Sequence, residues 1–428
     1  MRKAVCLIGV VLMSVSLGAV QAAAYTGVVE GVVKSSSGQP VSGAFVKLKN
    51  EQRRLTFMVI SQAQGRYTAD GLPAGKYTVQ GVGNGFQSGW SSPVDVTEGK
   101  AAKLDVSLTA PQAAPLAAAW PGRIPEEQAA AASFPDGAAK QLVSTRCVVC
   151  HAASNVLARR QDHEGWQETI KEMRGNMKNI GMPDLTDQEA ATIVDYLASN
   201  FPPLPTPDPN SRLPRTAMRG QSMKYRVVEY ELVNGNVETH DIAVAPDGTG
   251  WSGQRLGGKL SKFDPLTYEY TEFDPPMNKA KTARMGNLQI GSDGVAWMPE
   301  PNDKRWLSFD TKAFKWTSYE VPSTIRGGAG GNSMAIAKDG TIWNTGPGMA
   351  KSYNPVTKEW KAYDSPTWLA TKKNPGGYGI AVAGDGKAWF AMNNVDKIAR
   401  VDPVTGKVDE FKVPYQGVSY PQIGRAHV

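Results

Sequence analysis

Asp-Gly pairs at Asp247-Gly248, Asp293-Gly294, Asp339-Gly340 and Asp385-Gly386 recur every 46 residues, and this period constrains the fold more than any other feature of the chain. Trp251, Trp297, Trp343 and Trp389 keep the same interval, as do the apolar pairs Ile242/Val244, Leu288/Ile290, Met334/Ile336 and Ile380/Val382. Each unit reads as a strand, an Asp-Gly hairpin, a Trp-bearing strand and two further strands. The third strand includes Phe263-Asp264-Pro265, Phe309-Asp310-Thr311, Tyr353-Asn354-Pro355 or Val401-Asp402-Pro403. A repeat of roughly 40 to 50 residues with four strands is one blade of a propeller. Asp-Gly suits a type I′ hairpin, in which both central residues take positive φ. The tryptophans are expected to pack between blades.

Cys147-Val148-Val149-Cys150-His151 carries the chemistry. C-x-x-C-H is the pattern of c-type haem attachment. Two thiols at this spacing add to the two vinyl groups of one haem, and His151 then supplies the proximal iron ligand. A disulfide between Cys147 and Cys150 is the rival use of the pair in an oxidising compartment; the histidine directly after the second cysteine favours haem. The third cysteine, Cys6, falls in an N-terminal leader. Arg2 and Lys3 precede the apolar run Ala4 to Leu17, and small residues follow at Ala22-Ala23-Ala24, the layout of a secretory signal peptide over residues 1–24. No later stretch reaches the roughly 18 apolar residues of a spanning helix. The expectation is a periplasmic or secreted bacterial protein with no membrane span once the leader is removed.

A chain of 428 residues is too long for one ordinary domain. Its 47 basic and 40 acidic residues leave a formal net charge of +7, without a clustered basic stripe, which argues against a nucleic-acid partner. The 44 glycines and 29 prolines fit a mainly β chain with many turns.

Residues 25–109 read as short strands separated by turns, a small sandwich. The order Gly31-Val32-Val33, Gly38-x-Pro40-Val41-x-Gly43-Ala44-x-Val46, Gly65-x-Tyr67, Leu72-Pro73-Ala74-Gly75-x-Tyr77 and Gly85-Phe86 resembles the carboxypeptidase regulatory-like domain, a transthyretin-like β-sandwich. The resemblance implies a non-catalytic module for assembly or binding, with Tyr67, Tyr77 and Phe86 in its core and a last strand from Lys103 to Leu108. Residues 110–133 form an Ala/Pro linker.

Residues 134–203 read as helices. Asp136 is placed to cap a helix over 137–146, Trp166, Ile170 and Met173 give a middle helix one apolar face, and Thr186-Asp187-Gln188-Glu189 has capping-box form before Ile193, Val194 and Leu197. Three helices with C-x-x-C-H near the first resemble a class I cytochrome c domain, small and all-α. The resemblance implies a methionine before the last helix as distal iron ligand. Met182-Pro183 stands in that place; Met177 and Met173 compete, His163 reads as a solvated surface histidine, and an open site is the remaining alternative. Thioether ligation raises the haem potential and suits electron transfer. A proline-rich spacer covers residues 204–217.

The repeats occupy residues 218–422. Gly384-Asp385-Gly386-Lys387-Ala388-Trp389-Phe390 with Ile398-Ala399-Arg400-Val401-Asp402-Pro403-Val404-Thr405-Gly406 is similar to the streptogramin (virginiamycin B) lyase repeat. That family opens a cyclic antibiotic with a histidine and a bound magnesium ion, so a magnesium or calcium site in a complete propeller is implied. No catalytic residues carry over: His240 is the one histidine within the repeats. Residues 423–428, Ile-Gly-Arg-Ala-His-Val, break the repeat and match one reading frame of a common sequencing adapter; the expectation is a foreign tail on a truncated propeller, the alternative a natural four-bladed ring, and His427 is given no role. Two functions follow. One is an exported electron-transfer cytochrome with a redox partner protein or a small electron donor or acceptor, its propeller serving as a binding module. The other is a lyase- or lactonase-like propeller enzyme with an attached haem unit.

Overall fold

The computed structural model describes residues 25–114, 129, 131–148, 153–179, 183–203, 208–233, 237, 239–255, 257–280 and 282–414. The expected signal peptide over 1–24, Cys150, His151, Met182 and residues 423–428 lie outside them. The chain is mainly β, built of several sheets with few helices, and forms two compact units that meet in sequence near residue 228. No helix among the described residues is long and apolar enough to cross a membrane.

In the first unit, strand Gly27–Ser35 pairs antiparallel with Arg66–Leu72 and parallel with Ala101–Lys103 and Val106–Leu108. A second sheet runs through Ala110–Pro111, Phe86–Gln87, Gly75–Gly83, Phe45–Asn50 and Leu55–Ile60. Alternation along the strands turns Val29, Val33, Val46, Leu48, Phe57, Tyr67, Tyr77 and Val79 inward, and all are buried. The strand expected over 103–108 is broken at Leu104-Asp105. There the Tyr67 hydroxyl donates to the Leu104 carbonyl at 2.7 Å, while Asp105 accepts from Val32 N at 2.9 Å and from Lys34 Nζ at 2.6 Å. Phe86 is not a core residue: it is 47% exposed. It follows a tight turn with positive φ at Asn84 and Gly85, on a strand of only two residues, and neither inner face reaches it. Residues 210–213, within the stretch expected to be a proline-rich spacer, are instead fixed on this sandwich. The amide of buried Asn210 donates to Gln80 Oε1 at 3.0 Å and accepts from Lys47 Nζ at 3.1 Å, and Gln112 donates to the carbonyls of Asn210 and Leu213.

The helical segment holds Ala153–Ala158, His163–Asn179 and Asp187–Asn200. Before them, a short turn at Lys140–Leu142 continues into a wider one at Val143–Cys147. Asp136 does not cap it; its carboxylate pairs with Lys140 at 2.7 Å, one turn ahead. The Thr186 capping box is present, with Glu189 N donating to Thr186 Oγ1 at 3.1 Å and Thr186 N to Glu189 Oε2 at 2.8 Å. Trp166, Ile170, Ile193, Val194 and Leu197 meet in one apolar cluster. On the middle helix Met177 takes the buried place that the spacing gave to Met173, which is half-buried.

From Thr239 to Lys412 the chain makes four successive four-stranded antiparallel sheets, each a simple meander with its strands in sequence order. The inner strands of neighbouring sheets, Thr239–Val244, Gln289–Ile290, Met334–Ile336 and Ile380–Val382, lie side by side, which is blade packing. The Asp-Gly turns differ from the expected type I′. Only the glycines have positive φ, from 81° to 86°. Gly248 N donates to Ala245 O and Ala245 N to Thr249 O, so the loop is a three-residue type I turn closed by a left-handed glycine. The aspartate favours this form because its carboxylate accepts the amide two residues on, in each repeat: Thr249, Val295, Thr341 and Lys387.

Candidate functional site

Of the residues expected to hold a haem, Cys147 is described and Cys150, His151 and Met182 are not. Cys147 ends the turn Val143–Cys147 and lies half-buried with Leu142 and Val148 against the helical cluster of Val143, Val156, Leu157, Trp166, Ile170, Met177 and Leu197. An apolar wall beside the first thiol fits a porphyrin; the two thiols would join its vinyl groups, while the imidazole and a thioether would ligate its iron. His163 sits on an exposed surface with Nε2 3.0 Å from Asp195 Oδ1, as a solvated histidine should.

The chain leading from Pro183 into the last helix is held firmly. Arg174 makes a two-pronged contact with Asp184, Nε to Oδ1 at 3.0 Å and Nη2 to Oδ2 at 3.1 Å, and reaches Asp187 Oδ1 with Nη1 at 2.7 Å. Arg146, the neighbour of Cys147, donates to the Asp184 carbonyl at 3.2 Å. The hydrogen bonds it donates to the carboxylates of Asp184 and Asp187 push the Arg174 pKa up, keeping it ionised. The Thr186 backbone amide, then its hydroxyl, hold the Glu189 carboxyl below the usual range.

Residues 28–109 match the family model of the carboxypeptidase regulatory-like domain. No curated protein matches the sequence. Among solved structures, the chain is similar to selenomethionine-substituted virginiamycin B lyase from Staphylococcus aureus, with 19% identity over 46% of this chain and 62% of that one, at a TM-score of 0.39. It is similar to a streptogramin B lyase, with 22% identity over 44% and 59% of the two chains at 0.38. It is also similar to Kuenenia stuttgartiensis hydrazine synthase, with 14% identity over 42% and 50% at 0.33. The chain thus spans less than two thirds of the length of these proteins. At such identities and scores the likeness carries no argument about activity, and the blade architecture rests on the strand order and register given above.

Within the repeats, His240 Nδ1 lies 2.7 Å from Asp241 Oδ1 at the start of the first inner strand. Among the described residues no group of three or more His, Cys, Asp and Glu side chains is placed to hold a metal ion. The buried Glu300 and Asp303 are committed to backbone amides. Glu300 accepts from Arg284 N, Asn302 N and Asp303 N, and Asp303 from Asn278 N, Lys279 N and Ala280 N. Burial pushes the Glu300 carboxyl up despite those bonds.

Sequence reasoning passed over Lys351 and Asn344, which stand opposite each other on adjacent strands and are wholly buried. The signal was present in the repeat: the pair at this place is Met298/Leu307 in the second blade and Phe390/Ala399 in the fourth. Counting by 46 aligns Lys351 with Lys397 instead, because the hairpin at Asn393-Asn394 is longer than that at Pro347-Gly348.

Proposed function

We propose that this chain is an exported c-type cytochrome: one haem joined covalently to Cys147 and Cys150, His151 as proximal ligand, Met182 as distal ligand, and an electron passed to a partner protein or small molecule. The observation that carries the reading is C-x-x-C-H at 147–151, with Cys147 set against an apolar helical cluster. When bound, the haem supplies a one-electron couple. The chain's own residues do the rest. The thiols anchor the ring, the imidazole and thioether set the ligand field, and the apolar side chains exclude water from the iron, which raises its potential. The signal-like leader supports export, where such haems are attached. The sandwich and the blades serve as binding modules that bring a partner to the haem.

The test is to express the chain with its leader in a host that matures c-type cytochromes. The expected product is red, keeps its haem through acid-acetone extraction, and is heavier than the apoprotein by one haem. Colourless protein of apoprotein mass, or haem that still resists acid-acetone extraction when Cys147→Ala and Cys150→Ala are combined, overturns the reading.

A further inference from the structure

Lys351 and Asn344 put a polar pair where neighbouring blades are apolar. The cross-strand partners are Met298–Leu307 in the second blade, Asn344–Lys351 in the third and Phe390–Ala399 in the fourth, and all six side chains are fully buried. A lysine there carries a large desolvation cost unless its charge is paired or lost. Among the described residues no carboxylate pairs with it. Asp364 shares its face of the sheet, two residues along the partner strand, but is engaged by the guanidinium of Arg326.

Lys351 Nζ instead donates to the carbonyls of Gly328 and Gly330, at 2.5 Å each. These are its hydrogen bonds among the described residues. A neutral amine has two N–H donors and an ammonium has three. The neutral form therefore matches these two carbonyls, and among the described residues no hydrogen bond serves the third donor of the charged form. Asn344 donates to Ser333 O at 2.9 Å, and its Oδ1 is buried without a partner.

The carbonyls belong to the connection 325–333 between the second and third blades. Gly327 and Gly328 both sit in the left-handed region, with φ of 78° and 53°, where other residues are strained. The connection joins three blades: Asn287 Nδ2 and Trp306 Nε1 of the second donate to Gly331 O and Ala329 O, Lys351 holds it to the third, and Asn332 Nδ2 donates to Gly377 O before the fourth. It is a glycine hinge laid over a buried amine.

We propose that Lys351 is a proton-operated latch: uncharged, it closes the connection 325–333 over the third blade, and taking up a proton drives the connection open. Burial, with the Arg326 cation as the lesser cause, brings the Lys351 amine down to about 7. In the open state the amine meets water and returns to its ordinary value of about 10.4. Opening therefore takes up a proton between those limits. The open population falls about tenfold per pH unit as pH rises through that window and is flat below it. The charged groups turned toward the amine are Arg326 on the connection and Asp364 on the last strand of the blade.

Hydrogen exchange of the full chain, read by mass spectrometry from pH 6 to 9 and corrected for intrinsic rates, tests this. Protection of the 325–333 amides should rise about fiftyfold from pH 7 to 9, while the strand Ala388–Met392 stays unchanged. Lys351→Met should abolish the rise. Arg326→Gln, which removes the neighbouring cation and frees Asp364, should move its onset to higher pH; this variant decides the matter if Lys351→Met does not fold. A flat profile in the native chain, the same rise in Lys351→Met, or an onset unmoved by Arg326→Gln overturns the latch.

Discussion

The rings of Trp251 and Phe309 lie 5.5 Å apart, centroid to centroid, across the boundary between the first and second blades. Trp251 is oriented from behind, its Nε1 donating to Thr249 Oγ1 at 2.8 Å, and Phe309 also meets Phe273 at 5.0 Å. The contact repeats in the forward direction. Trp297 meets Tyr353 of the third blade at 6.1 Å, and Trp343 is buried among Phe390, Ala399 and Val401 of the fourth. All four also pack on an aromatic of their own blade, Phe273, Tyr319, Tyr363 and Phe411 in turn; Trp389, with Phe411 at 5.6 Å, is half-buried. Trp251, Trp297 and Trp343 are thus buried in part by the blade that follows, and stability is shared between neighbours.

Phe309→Ala should cost about 3–5 kcal/mol in the blade unit, the range for emptying a large aromatic site in a packed core. Phe411→Ala, at an exposed position, should cost far less. Urea unfolding followed by tryptophan fluorescence checks both. Equal losses would mean that forward stacking does not set blade stability.

The blade period was legible because it is written in residues whose conformational demands are strict. Glycine is needed at the left-handed turn position, and tryptophan is large enough to require a neighbouring sheet. The turn type was not legible, since Asp-Gly fits both a two-residue I′ loop and the three-residue loop seen here. What decides is the aspartate carboxylate reaching the amide two residues on. The capping box at Thr186 could be read because both partners lie within four residues. The fixed place of Asn210 could not, because its partners Lys47, Gln80 and Gln112 come from distant strands. Phe86 misled for a related reason: an aromatic beside a glycine turn reads as core, and only the shortness of its strand leaves it outside.

Thr186→Ala should cost the helical segment about 0.5–2 kcal/mol, the ordinary worth of a lost N-cap. It removes the acceptor of Glu189 N and leaves Glu189 without its reciprocal hydroxyl contact. Thr186→Ser keeps the oxygen and should recover most of the loss. Thermal melts followed by far-ultraviolet circular dichroism distinguish the two; identical melts for alanine and serine variants would count against the cap.

Asp105 gives the sandwich an acid limit. Its carboxyl lies below the ordinary range because Lys34 donates to it and, secondly, because Val32 N does. A depressed acid stabilises the fold at pH above the unfolded value of about 3.9, and that contribution disappears as pH falls through the folded value. Asp105→Asn should therefore lower stability at pH 7 and flatten the decline below about pH 4. Both partners are partly exposed, so salt should shrink the effect. Denaturation midpoints from pH 2 to 7, at low and high salt, check it.

Met182 and Met177 differ in what their loss should do. Met177 is buried in the cluster with Trp166, Ile170 and Leu197, so Met177→Ala should cost about 2–5 kcal/mol through the cavity it leaves. With the thioether of Met182 on the iron, it should leave the ligand field intact. Met182→Ala should do the reverse. It should abolish the weak red absorption band of ferric haem with a sulfur ligand, lower the midpoint potential and admit cyanide or carbon monoxide readily, at little cost to the melting temperature. Visible spectra and potentials of the two holoproteins, each beside its melting curve, separate the roles. If the band vanished in Met177→Ala and survived in Met182→Ala, the distal ligand would belong to the middle helix, and the helical cluster would have to repack to release it.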